Sequence, residues 1–259
     1  MGLGFRRWAV LVSLIGTLFV TGCSGQSQVS ASGEATPGAP AQTPVAEATV
    51  PAASPNANDP YAALPRLEGE ATVEMTVKGA AIALQLNGTD APITAGNFVD
   101  LVNRGVYDGL MFHRVVRQPQ PFVVQGGDPQ SKDPAVPVSQ LGTGSFIDPA
   151  TSAPRYIPLE IKAAGQDQPT YGEPLDVATQ TPVLKHTRGV LSMARSTLPN
   201  SASSQFYITL ADLGFLDGQY AVFGTVTQGM EIVDQIQQGD RIESARVTAG
   251  LDNLRNGGQ

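Results

Sequence analysis

Short apolar runs broken by glycine and proline fill the second part of the chain, and they restrict its possible folds more than any other feature. Residues 73–77 and 82–86 alternate apolar and polar side chains around a Lys-Gly-Ala turn, which predicts a β-hairpin. A last strand is expected around residues 246–249, and only residues 92–104 and 230–238 show helical spacing, with Thr94 as the expected cap of the first helix. Many short strands with two helices predict a mostly β chain that closes into a barrel capped by helices. The remaining strand-like runs are MFHRVV, PFVVQ, YIPLEI, GVLSMA, QFYITL and YAVFGTV.

Two long segments do not fit this pattern. Residues 129–154 and 162–185 are rich in proline, glycine, glutamine and aspartate. Structureless loops of this length are usually functional or mobile, and both interpretations remain open.

The amino terminus has the pattern of an export signal. Two arginines precede an apolar run over residues 8–20, which is shorter than the roughly 20 residues that a spanning helix needs. The run ends at Val20-Thr21-Gly22-Cys23, which resembles a bacterial lipobox. We therefore expect a lipoprotein signal peptide over residues 1–22, lipidation of Cys23, and a protein anchored to the extracytoplasmic side of a bacterial membrane. The alternative is an ordinary signal peptide with an incidental cysteine; as Cys23 is the only cysteine, no disulfide forms within the chain.

The following segment is too polar to fold by itself. From residue 24 to about residue 60 the sequence consists mainly of Ala, Ser, Thr, Pro, Gln and Gly. We predict a disordered tether over residues 23–64 and a folded domain over residues 65–255.

Beyond Cys23 the chain has 14 basic and 23 acidic side chains, a net charge of −9, which disfavours nucleic acid as a partner. We expect a monomer.

The candidates for hydrolytic or metal chemistry are weak. The chain has only two histidines, His113 and His186, to serve as a base. Ser192 lacks the glycine two residues later that a nucleophile elbow requires. There is no HExxH motif, cysteine pair or close histidine pair, so we expect no metal and no cofactor.

A permanent cation lies within the apolar stretch FHRVVRQPQPFVVQGGD, which covers residues 112–128. Taken alone, Arg114 could form an interior ion pair or extend its charged end to the surface. The adjacent His113 alone is more typical of a structural histidine.

Five sequence blocks give this arginine another interpretation. Together they resemble the signature blocks of the cyclophilins, the cyclosporin-binding peptidyl-prolyl isomerases, in the family order and over residues 70–249. The resemblance implies an eight-stranded antiparallel closed barrel capped by two α-helices. The blocks are Phe112-His113-Arg114-Val115, Gln125-Gly126-Gly127-Asp128, Leu191-Ser192-Met193-Ala194, Ser204-Gln205-Phe206-Tyr207-Ile208, and Leu216-Asp217-Gly218 with Val222-Phe223-Gly224.

The resemblance also implies the residues of the site. Arg114 matches the catalytic arginine, which donates a hydrogen bond to the prolyl amide within an apolar groove. The other matches are Phe122, Val123, Tyr207 and Leu216 for the walls of the proline pocket, Gln125 and Gln205 for the groups that hold the substrate backbone, Ala194 and Arg195 for the pair beside the groove, and Phe215 and Tyr220 for its rim.

The chain departs from the family at several of these positions. The VRQPQP segment before Phe122 is about three residues longer than the family spacing, which could displace Phe122. Arg195 stands where many members have asparagine, which could change the charge preference. Phe215 and Tyr220 replace the tryptophan and histidine of cyclosporin-sensitive members, and because phenylalanine lacks an N–H donor we expect weak cyclosporin binding. Tyr207 and Val123 replace a common phenylalanine and a common methionine.

The sequence thus favours a peptidyl-prolyl cis-trans isomerase that acts on proline-containing polypeptides among exported proteins. A module that holds such peptides without turnover is the second hypothesis. A purely structural surface lipoprotein is the third, although it would have no use for the groove.

Overall fold

A computed structural model describes residues 59–258. The predicted signal peptide, Cys23 and the tether up to residue 58 lie outside the described residues. In residues 59–258, no helix combines the length and apolar character needed to cross a membrane. The described part of the predicted tether forms a turn at residues 60–64, where the Tyr61 ring lies 5.6 Å from the Tyr171 ring.

The described residues form short strands and two α-helices, with 3₁₀ turns at Pro129–Lys132, Val138–Gln140, Gly214–Leu216 and Leu251–Asn253. The helices are α1 (Pro92–Asn103) and α2 (Met230–Val233). The strands are β1 (Arg66–Leu67), β2 (Glu70–Val77), β3 (Ala80–Asn87), β4 (Arg114–Val116), β5 (Val123–Gly126), β6 (Ile147–Asp148), β7 (Ala153–Pro154), β8 (Glu160–Ile161), β9 (Thr170–Tyr171), β10 (Val190–Met193), β11 (Phe206–Thr209), β12 (Val222–Gln228), β13 (Ile242–Ala249) and β14 (Leu254–Arg255).

Eight of the strands form one antiparallel sheet in the order β13-β2-β3-β12-β10-β11-β5-β4. This confirms a mostly β chain with an eight-stranded antiparallel sheet and two α-helices. The expectation of a closed barrel is wrong, because the edge strands β13 and β4 do not pair with each other.

The gap between the edge strands β13 and β4, which we call the open seam, has a local cause. One isolated bridge, Met111 to Arg241, and four backbone hydrogen bonds between residues 109–112 and 239–242 join the segments next to the two edge strands. Strand β4 is only three residues long, and Arg117 directly after it donates hydrogen bonds to the carbonyl groups of Val233 and Asp234 at the end of α2. This part of the seam is therefore bonded to the end of a helix and carries no strand ladder.

The predicted hairpin is confirmed as β2 and β3. Alternate side chains of both strands are buried, as a period of two residues requires. Lys78 and Gly79 connect the strands with φ values of 54° and 72°. Two positive φ values are typical of the two-residue turn that matches the twist of a hairpin.

Helix α1 packs against the sheet and lies close to its predicted position. Its Phe98 ring lies 5.2 Å from the rings of both Phe206 and Phe223. The expectation that Thr94 caps the helix is wrong, because Thr94 lies inside the helix and is buried. The buried carboxylate of Glu160 instead accepts hydrogen bonds from the backbone N–H groups of Ile93 (3.0 Å) and Thr94 (2.7 Å).

The second helix is shorter than predicted: α2 has four residues, and turns follow it.

The two long segments contain structure of their own, namely two 3₁₀ turns, the β6–β7 hairpin and β9. The buried carboxylate of Asp128 holds the first segment by accepting from the N–H groups of Gln130 (2.9 Å), Gly142 (2.6 Å) and Gly144 (3.1 Å).

Candidate active site

An open pocket of about 280 Å³, in which six of the nine lining side chains are apolar or aromatic, lies on the side of the sheet where β4, β5 and β11 meet. We call it the apolar pocket. Every residue that lines it was a predicted site residue. The lining residues are Arg114, Phe122, Val123, Gln125, Ala194, Arg195, Tyr207, Leu216 and Tyr220.

The strand register explains why these residues meet. Arg114 of β4 lies opposite Gln125 of β5, and Tyr207 of β11 lies opposite Gln125 from the other side. Directly opposed residues of neighbouring strands project from the same face of a sheet. Val123 and Gln205, two residues from Gln125 and Tyr207, fall on the same face by the same alternation. Residues that are distant in sequence therefore line one pocket.

The Arg114 guanidinium belongs to a chain of polar contacts. It donates to Gln125 Oε1 at 3.2 Å, Gln125 Nε2 donates to Gln205 Oε1 at 3.3 Å, and Gln205 Nε2 donates to the Gly144 carbonyl at 2.8 Å. The guanidinium carbon also lies 5.4 Å from the Phe122 ring centroid. Arg114 forms no salt bridge with any carboxylate of the described residues, which excludes an interior ion pair with them.

Arg114 is exposed, so its guanidinium is not shielded from water in the free protein. The cause is its place on β4, which lies at the edge of the sheet and has no strand on its other side. The Phe122 ring covers the guanidinium on one side only.

The longer segment before Phe122 does not displace this residue from the pocket. The backbone N–H of Phe122 donates to the Val116 carbonyl at 3.0 Å, which closes the loop at its base. Residues 118–121 are exposed above that bond. The insertion therefore extends the loop outwards.

Two predicted residues lie beside the apolar pocket. Phe215 is 72% exposed, and its ring stacks on Phe122 at 6.1 Å with an interplanar angle of 12°. Gln205 is buried and lines a second cavity of about 330 Å³, which we call the polar pocket. Its lining residues are Gln125, Gly142, Thr143, Gly144, Ser145, Tyr156, Ala194, Arg195, Ser196, Ser201, Ser203 and Gln205.

A buried hydrogen-bond chain behind the apolar pocket was missed by the sequence reasoning. The Tyr207 hydroxyl lies 3.0 Å from His186 Nε2, and His186 Nδ1 lies 2.8 Å from Asp217 Oδ1. Burial lowers the pKa of His186, although Asp217 opposes this shift, so the ring is neutral near pH 7. The Nδ1–H then donates to Asp217, and Nε2 accepts from Tyr207. The sequence feature that could have indicated this chain is Tyr207, because a tyrosine hydroxyl in the wall of a pocket usually has a hydrogen-bond partner when it is buried.

The same chain places Ser192 within 3.3 Å of His186 Nε2. This arrangement resembles a catalytic triad, but the Ser192 hydroxyl is fully buried and donates to the Ala221 carbonyl at 2.9 Å. A nucleophile needs an exposed oxygen whose proton goes to the base. The geometry therefore supports the exclusion of serine hydrolysis.

His113 lies outside both pockets. It is 6% exposed, and neither ring nitrogen has a hydrogen-bond partner within residues 59–258. Burial lowers its pKa, against an opposing effect of Asp128. In the same part of the chain, no group of three or more His, Cys, Asp or Glu side chains could hold a metal ion.

Comparison with known sequences relates the chain to isomerases. The family model described as "Cyclophilin type peptidyl-prolyl cis-trans isomerase/CLD" matches residues 72–254. A putative thylakoid lumen peptidyl-prolyl cis-trans isomerase of Synechocystis sp. is 42% identical over 209 residues, covering 76% of this chain and 52% of the relative. A chloroplastic peptidyl-prolyl cis-trans isomerase of Arabidopsis thaliana is 38% identical, covering 76% of this chain and 46% of the relative. The chain thus spans about half the length of these curated relatives.

A shorter relative and two solved structures are also similar. A peptidyl-prolyl cis-trans isomerase of Helicobacter pylori is 36% identical over 66% of this chain and 82% of its own length. A cyclophilin type isomerase of Cryptosporidium parvum has a TM-score of 0.53 at 24% identity, covering 70% of this chain and 98% of that chain, and it supports the fold alone. The same protein in the presence of the dipeptide Ala-Pro gives 0.52 at 25% identity, covering 69% and 99%.

Proposed function

Because the chain belongs to the cyclophilin-type peptidyl-prolyl cis-trans isomerases, we propose that it accelerates cis-trans isomerisation of X-Pro bonds in the apolar pocket. The observation that carries the proposal is the guanidinium of Arg114. It stands at an apolar pocket, held by Gln125 and without a carboxylate partner in the described part of the chain.

The chemistry of the rotation explains why such a donor is useful. Rotation about the X-Pro bond breaks amide resonance, at a barrier of about 18 to 20 kcal/mol. Halfway through the rotation the prolyl nitrogen is pyramidal and regains a lone pair. A hydrogen bond to that lone pair stabilises the twisted state more than either planar isomer, which is the requirement for catalysis. Arginine suits the role because it stays protonated and presents several donors in a rigid arrangement.

The substrate itself would provide the shielding that the free protein lacks. A pyrrolidine ring between Phe122, Tyr207 and Leu216 would exclude water from the pocket side of the arginine, which strengthens the hydrogen bond. Gln125 and Gln205 would hold the substrate backbone beside Ala194 and Arg195. The Cryptosporidium parvum relative studied in the presence of Ala-Pro supports a proline-containing peptide as substrate.

The scheme transfers no proton and forms no covalent intermediate. Arginine does not titrate near neutrality, so the rate is expected to stay nearly constant between about pH 6 and 8. A steep change of rate in that interval would indicate acid-base catalysis by a histidine and would contradict the scheme.

The decisive comparison is Arg114→Ala against the wild type in a protease-coupled assay with a proline peptide. Loss of one preorganised donor should lower kcat/KM by about 10² to 10³. Arg255→Ala is the matched control, because it removes an exposed guanidinium that pairs with Glu68 away from the pocket. Full activity of Arg114→Ala would refute the assignment. Peptide binding by a wild type without turnover would instead support the second hypothesis, a binding module.

We further propose that exported proteins are the substrates and that a lipid on Cys23 holds the enzyme on the extracytoplasmic side of a bacterial membrane. The signal pattern predicted over residues 1–22, the tether predicted over residues 23–64 and the domain predicted over residues 65–255 support this arrangement. The Synechocystis relative bears the name of a thylakoid lumen protein. Cys23→Ala should move the protein from the detergent phase to the aqueous phase in a phase-partition experiment.

We also propose a monomer with weak affinity for cyclosporin. Phe215 offers no N–H donor, and the Tyr220 ring is covered by the Arg195 guanidinium at 4.8 Å. Titration of the inhibition by cyclosporin tests this, and inhibition at nanomolar concentrations would contradict it.

A further inference from the structure

The apolar and polar pockets form one continuous groove. They share Gln125, Ala194 and Arg195, which stand between them. A polypeptide whose proline occupies the apolar pocket can therefore place a side chain a few residues away into the polar pocket.

Arg195 is a fixed cation on this shared boundary. Its Nε and Nη2 donate to the Gln219 carbonyl at 3.0 and 2.7 Å, and its Nη1 donates to the Ser196 carbonyl at 2.9 Å. The guanidinium lies over the Tyr220 ring at 4.8 Å. All these partners are neutral, and Arg195 forms no salt bridge within residues 59–258. Its position is fixed while its charge remains uncompensated.

The charge of the groove differs from that of the whole chain. The chain has a net charge of −7, yet among the described residues no Asp or Glu lines either pocket, whereas Arg114 and Arg195 do. Two carboxylates lie behind the walls, and both are engaged. Asp128 accepts hydrogen bonds from three backbone N–H groups, and Asp217 accepts hydrogen bonds from the backbone N–H and the ring of His186. The groove is therefore a locally positive strip on an acidic protein.

We propose that the polar pocket binds an acidic side chain of the substrate, aspartate or glutamate, and that Arg195 determines this preference. The proposal rests on the proposed isomerase function, because it places the substrate's proline in the apolar pocket. The substrates are then proline-containing segments with a carboxylate within a few residues of the proline. A lysine at the same position is repelled by Arg195.

The test is a peptide series with a single proline and otherwise neutral residues. Glu, Gln or Lys is placed in turn at each of three positions on either side of the proline. NMR exchange measures turnover without a coupling protease, and calorimetry measures the dissociation constant of each peptide. At one position, KM and Kd for Glu should be about tenfold lower than for Lys, with Gln between them and kcat similar. Because the cation is partly exposed, 0.5 M NaCl should reduce the difference.

Variants assign the preference to the charge. Arg195→Gln should abolish it, and Arg195→Lys should retain part of it, because lysine keeps the charge but lacks the planar fork that bonds the Gln219 carbonyl. Arg188→Gln is the control, since Arg188 pairs with Asp234 and lies outside both pockets; it should leave the preference unchanged.

The outcomes separate this inference from the proposed function. Turnover of every peptide at equal KM, or an unchanged preference in Arg195→Gln, would overturn the acidic preference while isomerase activity stands. No turnover of the neutral peptide by the wild type would overturn the proposed function, and the calorimetric series would still decide the charge preference.

Discussion

Tyr207→Phe removes one hydroxyl from the wall of the apolar pocket and leaves the ring in place. In the wild type this hydroxyl donates to His186 Nε2 at 3.0 Å, and His186 is 2% exposed. Without it the nitrogen keeps only Ser192 Oγ at 3.3 Å, whose proton is used by the Ala221 carbonyl. A buried polar group without a partner costs about 1 to 3 kcal/mol. Because the Ser192 hydroxyl can turn towards the nitrogen, we expect a loss at the lower end, about 1 to 2 kcal/mol of unfolding free energy.

Urea denaturation followed by far-ultraviolet circular dichroism measures this loss, because the only tryptophan of the chain, Trp8, lies outside the folded domain that we predict. Tyr156→Phe is the matched control: its side chain is in the polar pocket, the residue is 49% exposed, and the change should stay within about 0.5 kcal/mol. Since the ring that we propose to contact proline is retained, kcat/KM of Tyr207→Phe should change by less than tenfold. Equal stability of the two variants would refute the buried chain.

Two further predictions concern stability. Burial lowers the pKa of His113 and of His186, so below pH 6.5 the unfolded chain binds protons that the native chain does not. The free energy of unfolding should therefore fall between pH 7 and 5, by up to about 1.4 kcal/mol per pH unit for each histidine. A urea midpoint that stays constant over this interval would contradict the prediction. Glu160→Gln places an NH₂ group opposite the backbone N–H of Ile93 or Thr94, so that two donors face each other. The free energy of unfolding measured by thermal denaturation should fall by about 1 to 3 kcal/mol. An unchanged melting temperature would exclude a capping role for Glu160.

Local patterns in the sequence were sufficient for the hairpin. The alternation in residues 73–77 and 82–86 has the period of a strand, and the Lys-Gly pair suits the turn between them. The pocket residues were found by motif resemblance. Their convergence depends on the register that sets Arg114, Gln125 and Tyr207 side by side, and no single segment contains that register.

Features that depend on distant partners were missed. The cap of α1 is Glu160, which lies 66 residues beyond Thr94 in sequence, so the local pattern pointed to Thr94 itself. The open seam of the sheet and the exposure of Arg114 both follow from which strands lack a neighbour. Apolar neighbours in sequence do not imply burial for a residue on an edge strand, since alternate side chains point in opposite directions and one side of the strand is unpaired.

The long segment 129–154 contacts the site through Gly144. Asp128 fixes the Gly142 and Gly144 backbone, and the Gly144 carbonyl accepts from the Gln205 amide. That bond directs Gln205 Oε1 towards the Gln125 amide, which leaves Gln125 Oε1 to accept from Arg114. A chain of hydrogen bonds of this kind sets the orientation of each amide in turn, because turning one amide over would place two N–H donors opposite each other. The first long loop therefore fixes the direction of the Arg114 guanidinium without lining the apolar pocket.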